Sequence, residues 1–269
     1  MTQGHRVVRY CFVGGLHRSG TSLVAGLIGG LPGVSAIRDA PVPENEGVYL
    51  QGAIPHTAMH GRPLHFATDP AQHHVEGGAF DRAEVRDRLI ADWAPWFDPD
   101  AAWRVEKSPV NLTRTRLYQQ LFPLSQFVVV IRHPQAVAGA MRKWGHGDER
   151  AAVDHWIAAH RVLAGDLDHL HAALVLRYED LVARPDAWRG ALARFLDLRQ
   201  ADAPPDRAAR DGAVRDGNAD YAPYGPLPPD RDAALAQWGY AGNGTVLPLA
   251  PLVRHPLRAI RDGVLAALA

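Results

Sequence analysis

The sequence predicts a three-layer α/β fold, with a central, mostly parallel sheet flanked by helices on both faces. Short apolar, strand-like segments alternate with longer amphipathic helical patterns over most of the chain. The clearest strand, Gln126-Phe127-Val128-Val129-Val130-Ile131, carries five consecutive apolar residues, as a strand buried on both faces does. Hydrophobic content of 47% in 269 residues is enough for a substantial core and too apolar for a disordered chain. Residues 1–269 read as a single domain.

The elements follow in order. Tyr10 to Val13 is a first strand, running into the glycine-rich loop Gly14-Gly15-Leu16-His17-Arg18-Ser19-Gly20-Thr21-Ser22. A helix with Leu23, Val24, Leu27 and Ile28 begins at once and stops at Gly29-Gly30-Leu31-Pro32. Residues 38–80 are irregular and punctuated by Pro41, Pro43, Pro55, Pro63 and Pro70. A segment of that length without periodicity points to a binding surface or lid. Residues 81–97 form an amphipathic helix with Val85, Leu89, Ile90 and Trp93 on one face. Trp103 to Pro109 is a short strand ending in a polar loop, followed by a helix from about Asn111 to Leu121. After the strand at 126–131, Pro134 opens a helix at a tolerated first-turn position. A long helix covers 148–170, a strand covers Leu174 to Tyr178, and Asp180 is placed to cap the next helix. A further helix runs past Pro185 to Phe195-Leu196. Residues 199–232 are rich in Pro, Asp, Arg and Ala and predict irregular structure, and the tail carries one more amphipathic helix.

The loop after the first strand is the chemical signal. Strand, glycine-rich turn and helix present bare N–H groups and a helix N-terminus to an anion. Against the pattern G-x-x-x-x-G-K-[ST], the match is Gly15 through Gly20, then Thr21 and Ser22, with Thr21 where the lysine would be. Positive charge sits inside the loop instead, at Arg18. A magnesium triphosphate would be poorly neutralised there, whereas the planar fork of Arg18 suits a less crowded oxyanion. Lys107 and Arg132 also directly follow strands. In such sheets ligands bind beyond the C-terminal strand ends, so one site can collect all three cations.

Several classes are excluded by composition. A formal net charge of zero argues against a nucleic-acid partner. The one cysteine, Cys11, lies in the first strand, so no disulfide can form within the chain, and the expectation is a reducing cytoplasm. No apolar run reaches the length of a membrane span, and the Ala/Arg/Pro/Gly-rich usage suggests a bacterium. His56 with His60, and His155 with His160, lack the glutamate of H-E-x-x-H, so no metal site is expected. His73-His74 reads as a solvated loop pair. Trp93, Trp96 and Trp144 are either core or walls of a substrate pocket.

Together these segments resemble the sulfotransferases that use 3′-phosphoadenosine 5′-phosphosulfate (PAPS). Phe12 to Leu23 resembles their 5′-phosphosulfate loop, and Val129-Val130-Ile131-Arg132-His133-Pro134 their 3′-phosphate strand and loop. Glu106-Lys107-Ser108-Pro109 is similar to the lysine-bearing segment. Arg177-Tyr178-Glu179-Asp180-Leu181-Val182 with Pro185 and Phe195-Leu196 resembles a late structural motif. The resemblance spans about residues 9–198 and leans towards the tyrosylprotein branch. It implies a P-loop-like fold, PAPS as donor, no metal, and an acceptor that is a small molecule, a carbohydrate or a peptide. It implies donor binding by His17, Arg18, Ser19, Gly20, Thr21, Ser22 and Arg132, with Lys143 assisting and Tyr221 standing in for a late glycine-rich loop. Arg18 and Lys107 would carry the charge of the leaving phosphate. The base lies after the first helix: Glu46 is favoured, then Glu44, then Asp39. The family's hydroxyl residue eight positions after the arginine is Ala140 here. The segments near 38–80 and 199–245 are expected to line the acceptor side. The alternatives are a P-loop kinase or nucleotide hydrolase with a degenerate loop, and a catalytically inactive nucleotide-binding domain.

Overall fold

Strand β1 (Arg9–Gly15) is the spine of the sheet, because its alternating side chains supply both of the cores it separates. A computed structural model of the chain describes residues 8–56, 63–143, 148–198, 214–221 and 225–269. Tyr10 and Phe12 sit on one face.

 
Phe12 lies 4.5 Å from the Tyr118 ring and within 6.1 Å of Phe122, Phe127 and Trp93. Cys11 and Val13 face the other way, onto Val24 and Ile28. This period of two is what a strand buried on both faces produces.

Among the described residues the sheet has six strands, in the order β2-β3-β1-β4-β5-β6. They are β1, β2 (Val34–Ala36), β3 (Trp103–Lys107), β4 (Gln126–Ile131), β5 (Ala173–Arg177) and β6 (Leu252–Arg254). All neighbours pair in parallel except β6, which runs antiparallel to β5 at the edge. One face is covered by α2 (Ala83–Trp93), α3 (Thr115–Leu121), α4 (Pro134–Arg142) and α5 (Glu149–Leu167). The other is covered by α1 (Thr21–Gly29), α6 (Tyr178–Ala183), α7 (Pro185–Phe195) and α9 (Arg258–Leu268). A short α8 (Asp232–Ala236) adds Leu235 to the first face. The three-layer α/β architecture expected from the alternation of elements is therefore the one observed.

The differences are local. Both short edge strands, β2 and β6, escape sequence reading because three residues are too few to display a period of two. The helix expected over 111–121 is a 3₁₀ turn (Pro109–Thr113) followed by α3, broken where Arg114 takes φ −124° and ψ 5°. Arg114 is buried there and donates through Nη2 to the Pro55 carbonyl at 2.9 Å. Asp180 is not a cap. The helix begins directly after β5, and the Asp180 carboxylate takes two hydrogen bonds from Arg177, at 2.7 and 2.9 Å. His73 is half-buried and paired rather than a free loop residue: its Nε2 lies 2.9 Å from the buried Asp166 on α5. Cys11 is fully buried, and burial pushes its thiol pKa upward, as for a small core hydrophobe. Much of 199–232, together with His60 and Trp144, lies outside the described residues.

Removing the ring at the centre of the aromatic cluster tests this packing. Phe12→Ala is expected to lower unfolding free energy by about 3–5 kcal/mol. Urea denaturation should show it as a fall in midpoint at unchanged slope.

Candidate functional site

The C-terminal ends of β1, β3 and β4 converge because the loop between β1 and α1 carries no Cβ where the chain is most crowded. A Cβ on Gly15 would lie 2.4 Å from the Val130 carbonyl, and one on Gly14 2.8 Å from the Leu112 nitrogen. Gly20 combines φ 102° with a face that a Cβ would drive to 2.8 Å from the Tyr178 ring. Only glycine meets both demands. Arg18 itself takes a left-handed φ of 67°, an uncommon conformation for a residue with a side chain. Gly20 precedes α1 without a side-chain cap, so the first-turn N–H groups are left to face a ligand.

A cleft of about 190 Å³ opens against this turn, lined by His17, Arg18, Gly20, Thr21, Ser22, Glu44, Glu46, Pro109 and Arg132. Ser19 is spent on the loop itself: its N–H and hydroxyl both donate to the Leu16 carbonyl, at 3.1 and 2.7 Å. His17 is buried, with its ring 5.9 Å from Phe66. Ser22 Oγ donates to Glu44 Oε2 at 3.1 Å.

The three carboxylates proposed as base are now separated. Glu46 is buried and accepts from Lys107 Nζ at 3.3 Å. Burial pushes its pKa up to about 7, against the pull of Lys107 and with a smaller push from Glu106 and Glu44. Glu44 is exposed and lines the cleft, held at φ 52°. Asp39 is exposed and does not line it.

Beneath Glu46 lies a network that sequence reading did not find. Glu106, fully buried on β3, accepts from Ser108 Oγ and from Asn111 Nδ2, each at 2.5 Å. Ser108 Oγ in turn accepts the Val48 N–H at 3.0 Å, and Trp93 Nε1 donates to the Gly47 carbonyl at 2.9 Å. Gly47 packs so closely that a Cβ would sit 2.6 Å from the Glu106 carboxyl. The loop carrying Glu46 is thereby pinned to the strand carrying Lys107. Burial drives the Glu106 carboxyl pKa upward, opposed by those two hydrogen bonds. Trp93 is fully buried core and not a pocket wall, and Trp96 packs partly buried against the same core.

Arg132, at the end of β4, is held on four sides. Its Nη1 donates to the Arg18 carbonyl at 2.9 Å and its Nε to Asn218 Oδ1 at 2.7 Å. Its guanidinium lies 4.3 Å from the Tyr178 ring and 5.6 Å from that of Tyr221. Nη2 is buried without a hydrogen-bond partner among the described residues. Lys143 places its ammonium 5.0 Å from the same Tyr221 ring. Ala140 is buried in α4 and brings no donor. Glu179 organises the surroundings, accepting from the His133 N–H (3.0 Å), Asn218 Nδ2 (2.8 Å) and Tyr240 Oη (2.7 Å). Tyr178 and Glu179 fall in the segment 177–182 that resembles a late structural motif, but nothing local marks them as neighbours of Arg132, and Asn218 carries no spacing that marks it; their partners come from distant segments.

Among the described residues, no group of three or more His, Cys, Asp or Glu side chains is placed to hold a metal ion. No described helix is long and apolar enough to cross a membrane. Buried His56, His133 and His160 have pKa values lowered to about 4 and His155 to about 3, in each case chiefly by desolvation.

A turn of this kind, leading from an inner parallel strand into a helix, defines a P-loop-like α/β protein. The family model described as the sulfotransferase family matches residues 11–202, and the chain belongs to that family. Solved structures share the fold. The sulfotransferase domain of the Synechococcus PCC 7002 olefin synthase is 16% identical, over 89% of this chain and 98% of that one, with a TM-score of 0.55. Sulfotransferase STF9 from Mycobacterium avium is 14% identical, over 86% of this chain and 76% of that one, with a TM-score of 0.51. Sulfotransferase STF1 from Mycobacterium tuberculosis H37Rv is 16% identical, over 77% of this chain and 71% of that one, with a TM-score of 0.50. No curated protein matches the chain.

The pinning network has a measurable cost of removal. Glu106→Ala leaves the Ser108 hydroxyl without its acceptor and the Asn111 amide with the Val13 carbonyl alone, at about 1–3 kcal/mol for each buried partner lost. Glu106→Gln, which keeps one acceptor oxygen, is expected to lose less. Equal unfolding midpoints for the two variants would contradict the network.

Proposed function

We propose that the chain transfers a sulfuryl group from PAPS to a hydroxyl, or an amine, of an acceptor. The observation that carries this reading is the gathering of Arg18, Arg132 and Glu46 around one cleft at the strand ends, with Lys107 bonded to Glu46 at its edge. Family membership supports sulfuryl transfer, and the residues present suit the donor. The loop amides of Gly20, Thr21 and Ser22, with Arg18, face the 5′-phosphosulfate. Arg132, with Nη2 unpaired, faces the 3′-phosphate, aided by Lys143 beside Tyr221. Lys143 takes the place of the donor that Ala140 lacks. His17 shapes the loop. The donor is then gripped at both ends, and that binding energy orients the reacting centre between them.

The acceptor oxygen attacks sulfur in line while the bond from sulfur to the bridging oxygen breaks. The electron pair of that bond passes to the 5′-phosphate, and adenosine 3′,5′-bisphosphate leaves. Glu46 takes the acceptor proton. Its raised pKa matches this task near neutral pH. Protonation of Glu46 also removes the counter-charge from Lys107, 3.3 Å away, and frees the ammonium for the leaving phosphate oxygen. Cations of the chain supply the neutralisation, so the reaction as read uses no metal. Residues 1–269 act as one domain in this reading, and the lone buried Cys11 suits a reducing, cytoplasmic setting.

Calorimetry with adenosine 3′,5′-bisphosphate is the direct test. Wild-type protein is expected to bind it, and Arg132→Ala to weaken binding about 10- to 100-fold, the worth of a charged hydrogen-bond pair. Absence of wild-type binding at millimolar ligand removes the reading. Arg18→Ala is expected to slow transfer by about 10²–10³ with the fold intact.

The pH dependence has a definite sign. Glu46 accepts a proton only as the carboxylate, so kcat/KM should rise with pH up to about 7 and level off above it. Glu46→Gln should lower the rate by about 10²–10⁴ and abolish that limb. A rate profile with the same limb in Glu46→Gln assigns the proton to another group.

A further inference from the structure

Two acids of the proline-bounded turn line the cleft, and sulfuryl transfer as read above uses only Glu46. Glu44 is the other. Its backbone takes φ 52° and ψ 22°, and Asn45 follows at φ 54°, so two successive residues with side chains adopt the left-handed region. The turn is closed around them by Asn45 Oδ1, which accepts the Ala40 N–H at 2.9 Å, and by the Glu46 N–H, which donates to the Pro43 carbonyl at 3.0 Å. In this conformation the Glu44 carboxylate reaches α1, where Oε2 accepts from Ser22 Oγ at 3.1 Å. Glu44 lines the cleft and also an adjoining cavity of about 220 Å³. Its charge is felt in the cleft: burial is the main upward push on the Glu46 carboxyl, and Glu44 adds to it.

A carboxylate on the first turn of a helix that receives a phosphate repels that phosphate. The repulsion grows as the reaction proceeds. In the donor the 5′-phosphate is bonded to the sulfuryl group and carries a single negative charge, and the sulfuryl group lies towards Glu46 and Lys107. When the acceptor oxygen takes the sulfuryl group, the electron pair of the broken bond stays on the bridging oxygen and the acceptor proton passes to Glu46. The 5′-phosphate is then a monoester with a charge of about −1.5 to −2 at neutral pH. Resting on the sulfuryl-transfer reading above, we propose that Glu44 is a specificity-determining residue that discriminates the donor from its spent coproduct. Its fixed charge at Ser22 disfavours the phosphate monoester more than the phosphosulfate, and so keeps the coproduct from holding the cleft.

Two substitutions separate the charge of Glu44 from its hydrogen bond. Glu44→Gln keeps an acceptor for Ser22 and removes the charge, whereas Glu44→Ala removes both. Calorimetry on the full chain, with no acceptor present, measures Kd for adenosine 3′,5′-bisphosphate and for PAPS. Glu44→Gln is expected to tighten the bisphosphate about fivefold more than it tightens PAPS, the effect of one unit charge at about 4 Å in water. Glu44→Ala should move the ratio of the two constants in the same direction. Glu84→Gln, which removes an exposed charge from α2 and lines neither space, should leave that ratio unchanged. A change of ratio in Glu84→Gln as large as that in Glu44→Gln overturns the assignment to Glu44. Equal tightening of both ligands in Glu44→Gln overturns the discrimination, as does unchanged or weaker binding of the bisphosphate. In those outcomes the wild type still binds both ligands, so the donor reading stands. Failure of the wild type to bind either ligand at millimolar concentration overturns the donor reading instead, and this inference with it.

Discussion

The whole site depends on missing Cβ atoms. Backbone from β4, backbone from the turn after β3 and the ring of Tyr178 after β5 all press against one glycine-rich turn. Gly14, Gly15 and Gly20 are the contact points, at 2.8, 2.4 and 2.8 Å from where a Cβ would stand. Protein interiors are close-packed and yield little, so such contacts cannot be relieved by small shifts. Because three strand ends can approach that closely, the side chains that leave them gather at one edge of the sheet, around the cleft. Lys107 leaves β3, Arg132 follows β4 and Tyr178 follows β5.

Around that crowded turn the charges are arranged in layers. Glu106 is buried with hydrogen-bond donors on both oxygens, and its work is to hold a loop against a strand. Glu46, one loop away, has a single charged partner and keeps a raised pKa. The contrast has a simple origin. A buried carboxyl satisfied by neutral donors becomes structural, whereas one left facing a cavity with a single ammonium beside it retains the capacity to exchange a proton. Arg132 shows the same division within one side chain. Nε and Nη1 are committed to Asn218 and Arg18, and Nη2 is not.

Much of this was legible in the residues. The strand at 126–131 announces itself by unbroken apolarity, and the glycine spacing at 14–20 marks a turn that must pass close to other backbone. Glu44 and Glu46 stand out as acids in a proline- and glycine-bounded loop, but their pattern cannot rank them. Burial ranks them, and burial of Glu46 depends on Ser108, Glu106 and Trp93, which are about 50 or more residues away in the chain. The tryptophans fail as indicators for a related reason. An aromatic residue on an amphipathic helix reads the same whether it meets a substrate or Tyr10 and Phe12, and for Trp93 it is the latter.

Local pattern along the chain sets the layer architecture, the position of the glycine-rich turn and the identity of the cations at the strand ends. These are local properties, carried by periodicity, by the absence of side chains and by residue chemistry at strand ends. Packing of distant segments settles which acid is buried beside Lys107, that Asn218 and Tyr178 steady Arg132, and that a second cavity adjoins the cleft. Those outcomes depend on which distant segments share a dielectric environment, and no local pattern encodes a desolvation energy that is set by neighbours far along the chain.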